Sequence, residues 1–329
     1  MVQRCIAAIS IPGSIDLPRA LSIPLGMDKT AQPCMPFNDS LAGVDGSALA
    51  LTRHPGPRVP VLLAHGFGQT RHSWAATARQ LAAHGFSSLA YDARGHGQSP
   101  WNPAGQPYHP QQFVDDLIAV SGQLSPTPVL VAASMGGLFG LMAQARWPGL
   151  FSAMVLVDIT PRWEPQGVER ILAFMGAHPE GFDCFQHAAD EIARYQPHRP
   201  RKSEQALRSI LRETADGRLH WHWDPRLLAE LGQGAQAHQQ AIAEAARRID
   251  CPLLLISGGR SDLVSQSTID EFLKLVPHAR HTQLPMATHM VAGDDNDAFT
   301  TTVMQYLDAL PALATGLESA TTHLTGALQ

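Results

Sequence analysis

The segment Leu130–Gly137 constrains the fold of this chain more than any other stretch of its sequence. An apolar run with strand character ends in Ala-Ala-Ser-Met-Gly-Gly, and a helical pattern follows directly. The turn between the strand and the helix is tight and strained. Small residues are therefore needed at Ala132 and Gly136. The common form Gly-x-Ser-x-Gly has glycine where Ala132 stands, a departure of one methyl group. The segment predicts that Ser134 is an exposed nucleophile beside the N–H groups of a helix N-terminus.

A serine hydroxyl is a weak nucleophile at neutral pH, so it needs a base and a group that orients the base. Without them, the segment would be an ordinary strand-to-helix connection. The first candidate acid is Asp262, in the loop after the apolar strand Cys251–Ser257. It could instead cap the helix that starts near Ser265. Asp158, at the end of the preceding strand, is the alternative acid. We favour Asp262 because the loop after the later strand is the commoner source.

The candidate base is His289. The chain has 16 histidines, so a histidine alone indicates little. This one follows Asp262 by 27 positions and lies in the loop after the last predicted strand, which ends near Pro285. The order serine, acid, histidine is the order that this kind of site requires.

A glycine-rich turn supplies the fourth part of the site. The apolar strand Val61–Ala64 runs into His-Gly-Phe-Gly, so the turn can direct a backbone N–H towards Ser134. We predict an oxyanion hole formed by the amides of Phe67 and Met135, which would stabilise charge that develops only in the transition state.

Together these segments resemble the α/β-hydrolase superfamily, including its serine esterase, epoxide-hydrolase-like and cofactor-free perhydrolase branches. Tyr91–Ser99 matches the Asp-x-Arg-Gly-x-Gly-x-Ser loop of many members, and the resemblance covers roughly residues 40–310. It implies structural roles for Arg94 and His96. Family members with epoxide-hydrolase or dehalogenase chemistry have aspartate at the position of Ser134, so the resemblance argues against both reactions.

Composition excludes several classes of partner. The chain has 329 residues and a formal net charge of −5, without the basic stripe that nucleic acid requires. It has no run of about 18 apolar residues, so we expect no membrane span. Four scattered cysteines without a Cys-x-x-Cys pair indicate a reducing cytoplasm. His220 and His222 could form a ligand pair on an extended segment, but nothing completes a metal set. We predict a small-molecule substrate, no metal and no cofactor; the oligomeric state stays open.

Strand-like and helix-like segments alternate along the chain, which predicts an α/β fold: a mostly parallel sheet of about eight strands with helices on both faces. The predicted strands lie near 48–53, 60–64, 87–92, 128–133, 153–158, 252–257 and 280–284. The predicted helices lie near 73–84, 110–123, 135–146, 240–249, 266–276 and 295–309.

The domain organisation follows from where this alternation holds. Residues 39–160 and 240–310 form the predicted hydrolase core, and residues 161–239 form a helical lid inserted after the sixth strand. Residues 1–38 are a predicted poorly ordered extension, faintly like an export signal, with Met35 as an alternative start. Residues 311–329 are a predicted loose tail.

Four helical patterns make up the predicted lid: Val168–Ala177, Phe182–Tyr195, Lys202–Leu211 and Asp224–Leu231. The lid is rich in aromatic residues, which favours a fairly hydrophobic substrate, although at least half of them should form the lid's own core. The predicted pocket residues are Trp163, Phe174, Met175, Trp221 and Met290.

These patterns predict a serine hydrolase that cleaves a carboxylic ester, lactone or thioester through an acyl-enzyme on Ser134. A carbon–carbon bond hydrolase or a perhydrolase could use the same three residues. A small-molecule receptor on this fold, without catalysis, is a further alternative.

Overall fold

The computed structural model describes residues 36–43, 45–231, 235–294 and 296–310. The predictions for the extension up to residue 35 and for the tail 311–329 lie outside the described residues. Within the described part of the chain, no helix combines the length and the apolar character that crossing a bilayer requires.

Ten strands are described. They are β1 (Phe37–Ala42), β2 (Ala48–His54), β3 (Arg58–Ala64), β4 (Phe86–Tyr91), β5 (Val129–Ala133), β6 (Ala153–Val157), β7 (Leu211–Glu213), β8 (Leu219–Trp221), β9 (Leu253–Gly258) and β10 (Arg280–Leu284). Eight of them form one sheet in the order β1-β2-β4-β3-β5-β6-β9-β10. The pairs β1–β2 and β2–β4 are antiparallel and the remaining pairs are parallel, which confirms the predicted fold class.

Eleven α-helices are described, with a short 3₁₀ helix at Arg71–Trp74. They are α1 (Ala75–Ala83), α2 (Pro110–Ser121), α3 (Met135–Arg146), α4 (Pro165–Gly176), α5 (Phe185–Tyr195), α6 (Glu204–Leu207), α7 (Arg226–Leu231), α8 (Ala235–Ala246), α9 (Gln266–Leu275), α10 (Val291–Asp294) and α11 (Asn296–Asp308). Helices α1 and α11 pack on one face of the sheet, and α2, α3, α8 and α9 pack on the other.

The central strands are buried on both faces, which explains their unbroken apolar runs. In β3, Leu62 contributes to the core on one face, while Val61 and Leu63 contribute to the core on the other. Successive side chains of a strand point to opposite faces, so a strand covered on both sides must be apolar throughout.

The structure differs from the sequence-based prediction in two elements. The extension predicted for residues 1–38 overlaps β1, which begins at Phe37 and lies at the edge of the sheet. The helix predicted for Lys202–Leu211 is wrong in most of its length, since α6 has only four residues and the chain then enters the β7–β8 hairpin. Gly217, with a φ of +78°, forms the hairpin turn. A turn of this kind separates two strands rather than continuing a helix.

Between β6 and β9 the chain leaves the sheet and forms α4 to α7 together with the β7–β8 hairpin, before α8 packs on the sheet again. We call residues 161–239 the inserted segment. It has a small core of its own, where Phe182 and Leu207 are buried with Phe174, Phe185 and Trp221 packed around them. Several of its aromatic residues therefore serve packing within the segment.

Candidate active site

The sheet register brings the carboxyl ends of β5, β6 and β9 together. Ala133 of β5 pairs with Val157 of β6, and Val157 pairs with Ile256 of β9. The next residues, Ser134 and Asp158, therefore leave the sheet side by side. Functional groups of open parallel sheets gather at this edge.

Both residues have strained backbones. Ser134 has a φ of 46° and Asp158 a φ of 48°, and they are the two non-glycine residues with positive φ in the described part of the chain. Glycine is required beside them: a Cβ on Gly136 would lie 2.8 Å from the carbonyl oxygens of Ala64 and His65. Strain of this kind is retained where surrounding structure holds the chain in place, and it often marks a functional site.

The carboxylate of Asp158 is fully buried and saturated with donors. Its Oδ1 accepts from the N–H of Gly258 at 2.7 Å, and its Oδ2 accepts from the hydroxyl of Ser261. Nδ1 of His289 lies 2.8 Å from the same Oδ2. A buried carboxylate is stable only with such partners. The contact orients the imidazole with its Nδ1–H towards Asp158, which leaves Nε2 free for another group.

The carboxylate contact that we predicted for Asp262 is thus made by Asp158, the alternative acid. The Asp262 side chain is 36% exposed and pairs with Arg170 of α4, at 3.1 Å between Oδ2 and the guanidinium. Asp158 rather than Asp262 contacts His289 because of the path that the chain takes after each strand. Asp158 directly follows β6 and turns inward, whereas Asp262 lies beyond the hydrogen-bonded turn that starts at Gly258. Asp262 does not cap α9 either, because Ser265 does so.

Ser134 and His289 line one cavity of about 230 Å³. Among the described residues, no hydrogen bond joins the Ser134 hydroxyl to His289 or to any other group. In ligand-free sites such bonds are often long and tighten when substrate binds. The structure therefore brings together a serine, an imidazole and a buried carboxylate, the last being Asp158.

Phe67 and Met135 are the residues predicted to form the oxyanion hole, and Met135 directly follows Ser134. Both residues line, with Ser134, a second cavity of about 550 Å³. Within the described residues, neither N–H donates a hydrogen bond to the protein. Met135 is the first residue of α3, so its N–H has no acceptor within the helix. An oxyanion hole formed by these two N–H groups stays a prediction.

Buried histidines hold the loop that carries Phe67. The Nδ1–H of His65 donates to the carbonyl of Gly66 at 2.8 Å, so its Nε2 accepts from the N–H of Ala93 at 2.9 Å. Burial lowers the pKa of His65. Its neutral form, which alone can accept from Ala93, is therefore the stable one.

His222 ties the inserted segment to two loops, that of Phe67 and that of Tyr91–Ser99. Its Nδ1 accepts from the N–H of Gly97 at 2.8 Å and its Nε2–H donates to the carbonyl of Gly68 at 3.1 Å. His222 is thus not free to act as the metal ligand considered from the sequence, because both of its ring nitrogens are hydrogen-bonded to backbone groups. Burial is the main reason that the pKa of His222 falls to about 4. His96 packs between His65 and His222, and burial followed by its two neighbours lowers its pKa as well.

We expect these histidines to make the fold sensitive to acid. His222 has a folded-state pKa of about 4, below the value of about 6.5 in an unfolded chain. The unfolded state therefore binds more protons between these values, and stability is lost as the pH falls through this window. From pH 7 to pH 5, His222 alone should cost about 2 kcal/mol of the free energy of unfolding.

Urea denaturation at pH 7 and pH 5 tests this expectation. His222→Asn keeps an acceptor for Gly97 but cannot be protonated, so its stability should fall less between the two pH values. His84→Asn is the control, since His84 is exposed. An equal loss in wild type and His222→Asn would contradict the assignment.

Arg94 anchors the loop Tyr91–Ser99 to α2, a structural role of the kind that the family resemblance implied. Its guanidinium donates to both carboxylate oxygens of Asp116, at 2.6 and 2.7 Å, and to Asn102 and Asp45. Gln69 forms a further link that the sequence did not indicate. Its amide accepts from the N–H of Gly66 at 3.3 Å and donates to the sulfur of Met290.

The five predicted pocket residues lie around Ser134. Trp163 lines the cavity of about 550 Å³. The others line the cavity of about 230 Å³, namely Phe174, Met175, Trp221 and Met290.

One group of metal-ligand side chains lies elsewhere in the inserted segment. Donor atoms of His178, His187 and Glu191 lie within 4.8 Å of one another. Arg194 already pairs with the carboxylate of Glu191, so a cation would compete with its guanidinium. The expected absence of a metal stays a prediction.

The sequence of this chain matches a known protein family and several characterised relatives. The sequence model of the family described as serine aminopeptidase, S33, matches residues 55–296. The esterase Rv0045c of Mycobacterium tuberculosis is 29% identical over 274 residues, which cover 80% of this chain and 88% of that protein. A monoacylglycerol lipase of Mycolicibacterium smegmatis is 34% identical over 240 residues, covering 68% of this chain and 79% of that protein.

Solved structures agree in fold. The crystal structure of Rv0045c superposes with a TM-score of 0.65 at 27% identity, covering 84% of this chain and 92% of that one. That of E-2-(acetamidomethylene)succinate hydrolase gives a TM-score of 0.72 at 22% identity, covering 84% and 100%. The chain belongs to the serine aminopeptidase S33 family and is a hydrolase of the α/β-hydrolase superfamily.

Proposed function

We propose that the chain is a serine hydrolase that cleaves a carboxylic ester with an apolar acyl group through an acyl-enzyme on Ser134. One observation carries the proposal: the strained Ser134 shares a cavity with His289, whose Nδ1 lies 2.8 Å from the buried carboxylate of Asp158. An esterase and a lipase among the relatives support ester hydrolysis.

The proposed reaction has two halves. In the first, Nε2 of His289 takes the proton of the Ser134 hydroxyl, whose oxygen attacks the ester carbonyl. The N–H groups of Phe67 and Met135 donate to the oxyanion, and His289 gives its proton to the departing alcohol. In the second, a water loses a proton to His289 and attacks the acyl-enzyme, and Ser134 is released with its proton restored.

Asp158 acts through His289 in this scheme. Its Oδ2 accepts from the Nδ1–H of His289, so Nε2 is the nitrogen that can take the proton of Ser134. The imidazolium that forms during each half-reaction is stabilised by the adjacent carboxylate. Ser261 and Gly258 hold that carboxylate in place.

The cavity of about 550 Å³ supports the choice of an apolar acyl group. Its walls are mainly aliphatic and aromatic, and among the described residues they include no Asp, Glu, Lys or Arg. Sites that bind apolar ligands have this character. Helix α4 contributes to the walls of both cavities, because Ile171 lines each of them. We therefore propose that the inserted segment is the lid of the site.

Labelling with a fluorophosphonate tests the proposal most directly. The probe should modify one residue, Ser134, because only an activated serine attacks it. Steady multiple turnover of p-nitrophenyl esters, with an optimum at intermediate acyl length, should accompany the labelling. Modification of another serine, or binding without multiple turnover, would reject the proposal in favour of a different nucleophile or a receptor.

A further inference from the structure

The cavity that holds Ser134 and His289 has a marked excess of positive charge. Among the described residues, its walls include four cationic side chains and one carboxylate, Asp262. The four are Arg170, Arg199, Lys202 and Arg260. We call this cavity the basic cavity, and we call the cavity of about 550 Å³ the acyl cavity. The acyl cavity has no such groups among its described residues. The two cavities therefore differ in the ligand chemistry that each accepts.

Lys202 is the most informative of the four. Its side chain is partly buried, and within the described part of the chain it has no hydrogen bond or ion pair. Burial, followed by the charge of Arg199, lowers the pKa of its ammonium group. Lysine is rarely removed from water without an anionic partner. A half-buried ammonium group on the wall of a cavity is suited to a ligand that supplies the anion.

Two of the arginines differ in their partners. Arg170 is paired with Asp262 and also donates to the carbonyl of Tyr195. Arg260 is exposed and, among the described residues, contacts the sulfur of Met286 rather than a carboxylate. Asp262 therefore offsets one positive charge, and Lys202 and Arg260 remain without a described carboxylate partner.

The position of His289 indicates which part of the substrate lies here. His289 lines the basic cavity but not the acyl cavity. It also lines, with Lys202, an adjoining cavity of about 350 Å³. Because the imidazole protonates the departing oxygen, the alcohol must lie on its side of Ser134. The basic side of the site thus receives the leaving group.

We propose that the alcohol released by this enzyme carries an anionic group, a carboxylate or a phosphate, that binds Lys202 with assistance from Arg260. The inference rests on the proposed ester hydrolysis and specifies its substrate class: an ester with an apolar acyl group and an anionic alcohol. Lys202 is a specificity residue in this account, since it contacts neither the ester carbon nor Ser134.

Matched esters test the proposal at pH 7, with acid release followed by titration. The first pair is the butyrate ester of 3-hydroxypropanoate and that of the neutral 3-hydroxypropanamide. Wild type should prefer the anionic ester by about tenfold in kcat/KM, a typical contribution of one partly buried charge pair. The butyrate ester of 2-hydroxyethyl phosphate is a third substrate, and its rate relative to the carboxylate distinguishes the two anions.

Substitutions of the basic side chains test which residue causes the preference for the anionic ester. Lys202→Met should reduce the anionic-to-neutral ratio to near one, and Arg260→Gln should reduce it partly. Lys274→Met is the control, because Lys274 is an exposed lysine of α9 outside these cavities and its loss should leave the ratio as in wild type. If Lys202→Met does not fold, the Arg260→Gln ratio and the salt dependence of the wild-type ratio decide the question.

Two results would overturn the inference while ester hydrolysis stands: equal kcat/KM for the anionic and neutral alcohols, or a preference for charge on the acyl side. The second is measured with the hemiglutarate ester of 3-hydroxypropanamide. Failure of wild type to hydrolyse any of these esters, with no labelling of Ser134 by the fluorophosphonate, would instead reject the proposed function itself.

Discussion

Ser134→Ala is expected to lower kcat for a carboxylic ester on the order of 10⁴-fold or more, with the fold intact. Alanine removes the attacking oxygen but fits the turn at least as well as serine, because the Ser134 hydroxyl makes no hydrogen bond to a described residue. The free N–H groups of Phe67 and Met135 remain, so residual turnover should come from oxyanion stabilisation alone.

Steady-state kinetics with p-nitrophenyl butyrate, together with thermal denaturation, measures this effect. Ser209→Ala is a matched control, since Ser209 is an exposed serine of the inserted segment that donates to the carbonyl of Ala206. Its kcat should stay within about twofold of wild type, the range of a surface substitution. A Ser134→Ala variant that kept most of its ester turnover would falsify the assignment of the nucleophile.

Elements of the fold could be predicted from the sequence where a short local pattern marks them. The central strands could be predicted because burial on two faces leaves an unbroken apolar run, as in β3 and β9. Edge strand β1 could not, because five of its six side chains are exposed and no apolar pattern marks it. The β7–β8 hairpin did have a local signal, Asp216-Gly217, which the surrounding helix-forming residues obscured.

The residues of the site likewise divide into those that a local pattern marks and those that depend on distant contacts. Ser134 was identified by a motif that lies within eight residues, and His289 by its place in the last strand-to-helix loop. The partner of His289 could not be settled in this way, because Asp158 and Asp262 both follow neighbouring parallel strands. Which carboxylate turns inward depends on the positive φ of Asp158 and on Arg170, which reaches Asp262 from the inserted segment. No local pattern contains either fact.

Links between distant segments were also beyond the sequence. His222 joins the inserted segment to the Phe67 loop through Gly68 and to the Tyr91–Ser99 loop through Gly97, and both glycines are more than 100 residues away. Histidine composition indicated only that an imidazole was present. Its role follows from packing, which excludes water and lets each ring nitrogen meet one partner.

Asp158→Asn is expected to lower kcat by an amount similar to the loss of the nucleophile, on the order of 10⁴-fold. An asparagine amide can accept on one side only, whereas Asp158 accepts from Gly258, Ser261 and His289. With its NH₂ group facing His289, the amide would favour the tautomer whose Nδ1 accepts a hydrogen bond. Nε2 would then carry the proton and could not take one from Ser134.

Asp262→Asn is the decisive comparison for this last prediction. It removes the same charge at a half-exposed position whose partner is Arg170, so kcat for a neutral ester should change by less than about fivefold. Asparagine tolerates the left-handed backbone that Asp158 adopts, with a φ of 48°, so both variants should fold and can be compared by near-UV circular dichroism. A larger loss in Asp262→Asn than in Asp158→Asn would mean that the imidazole changes partner during the reaction. The contact between His289 and Asp158 would then belong only to the resting enzyme.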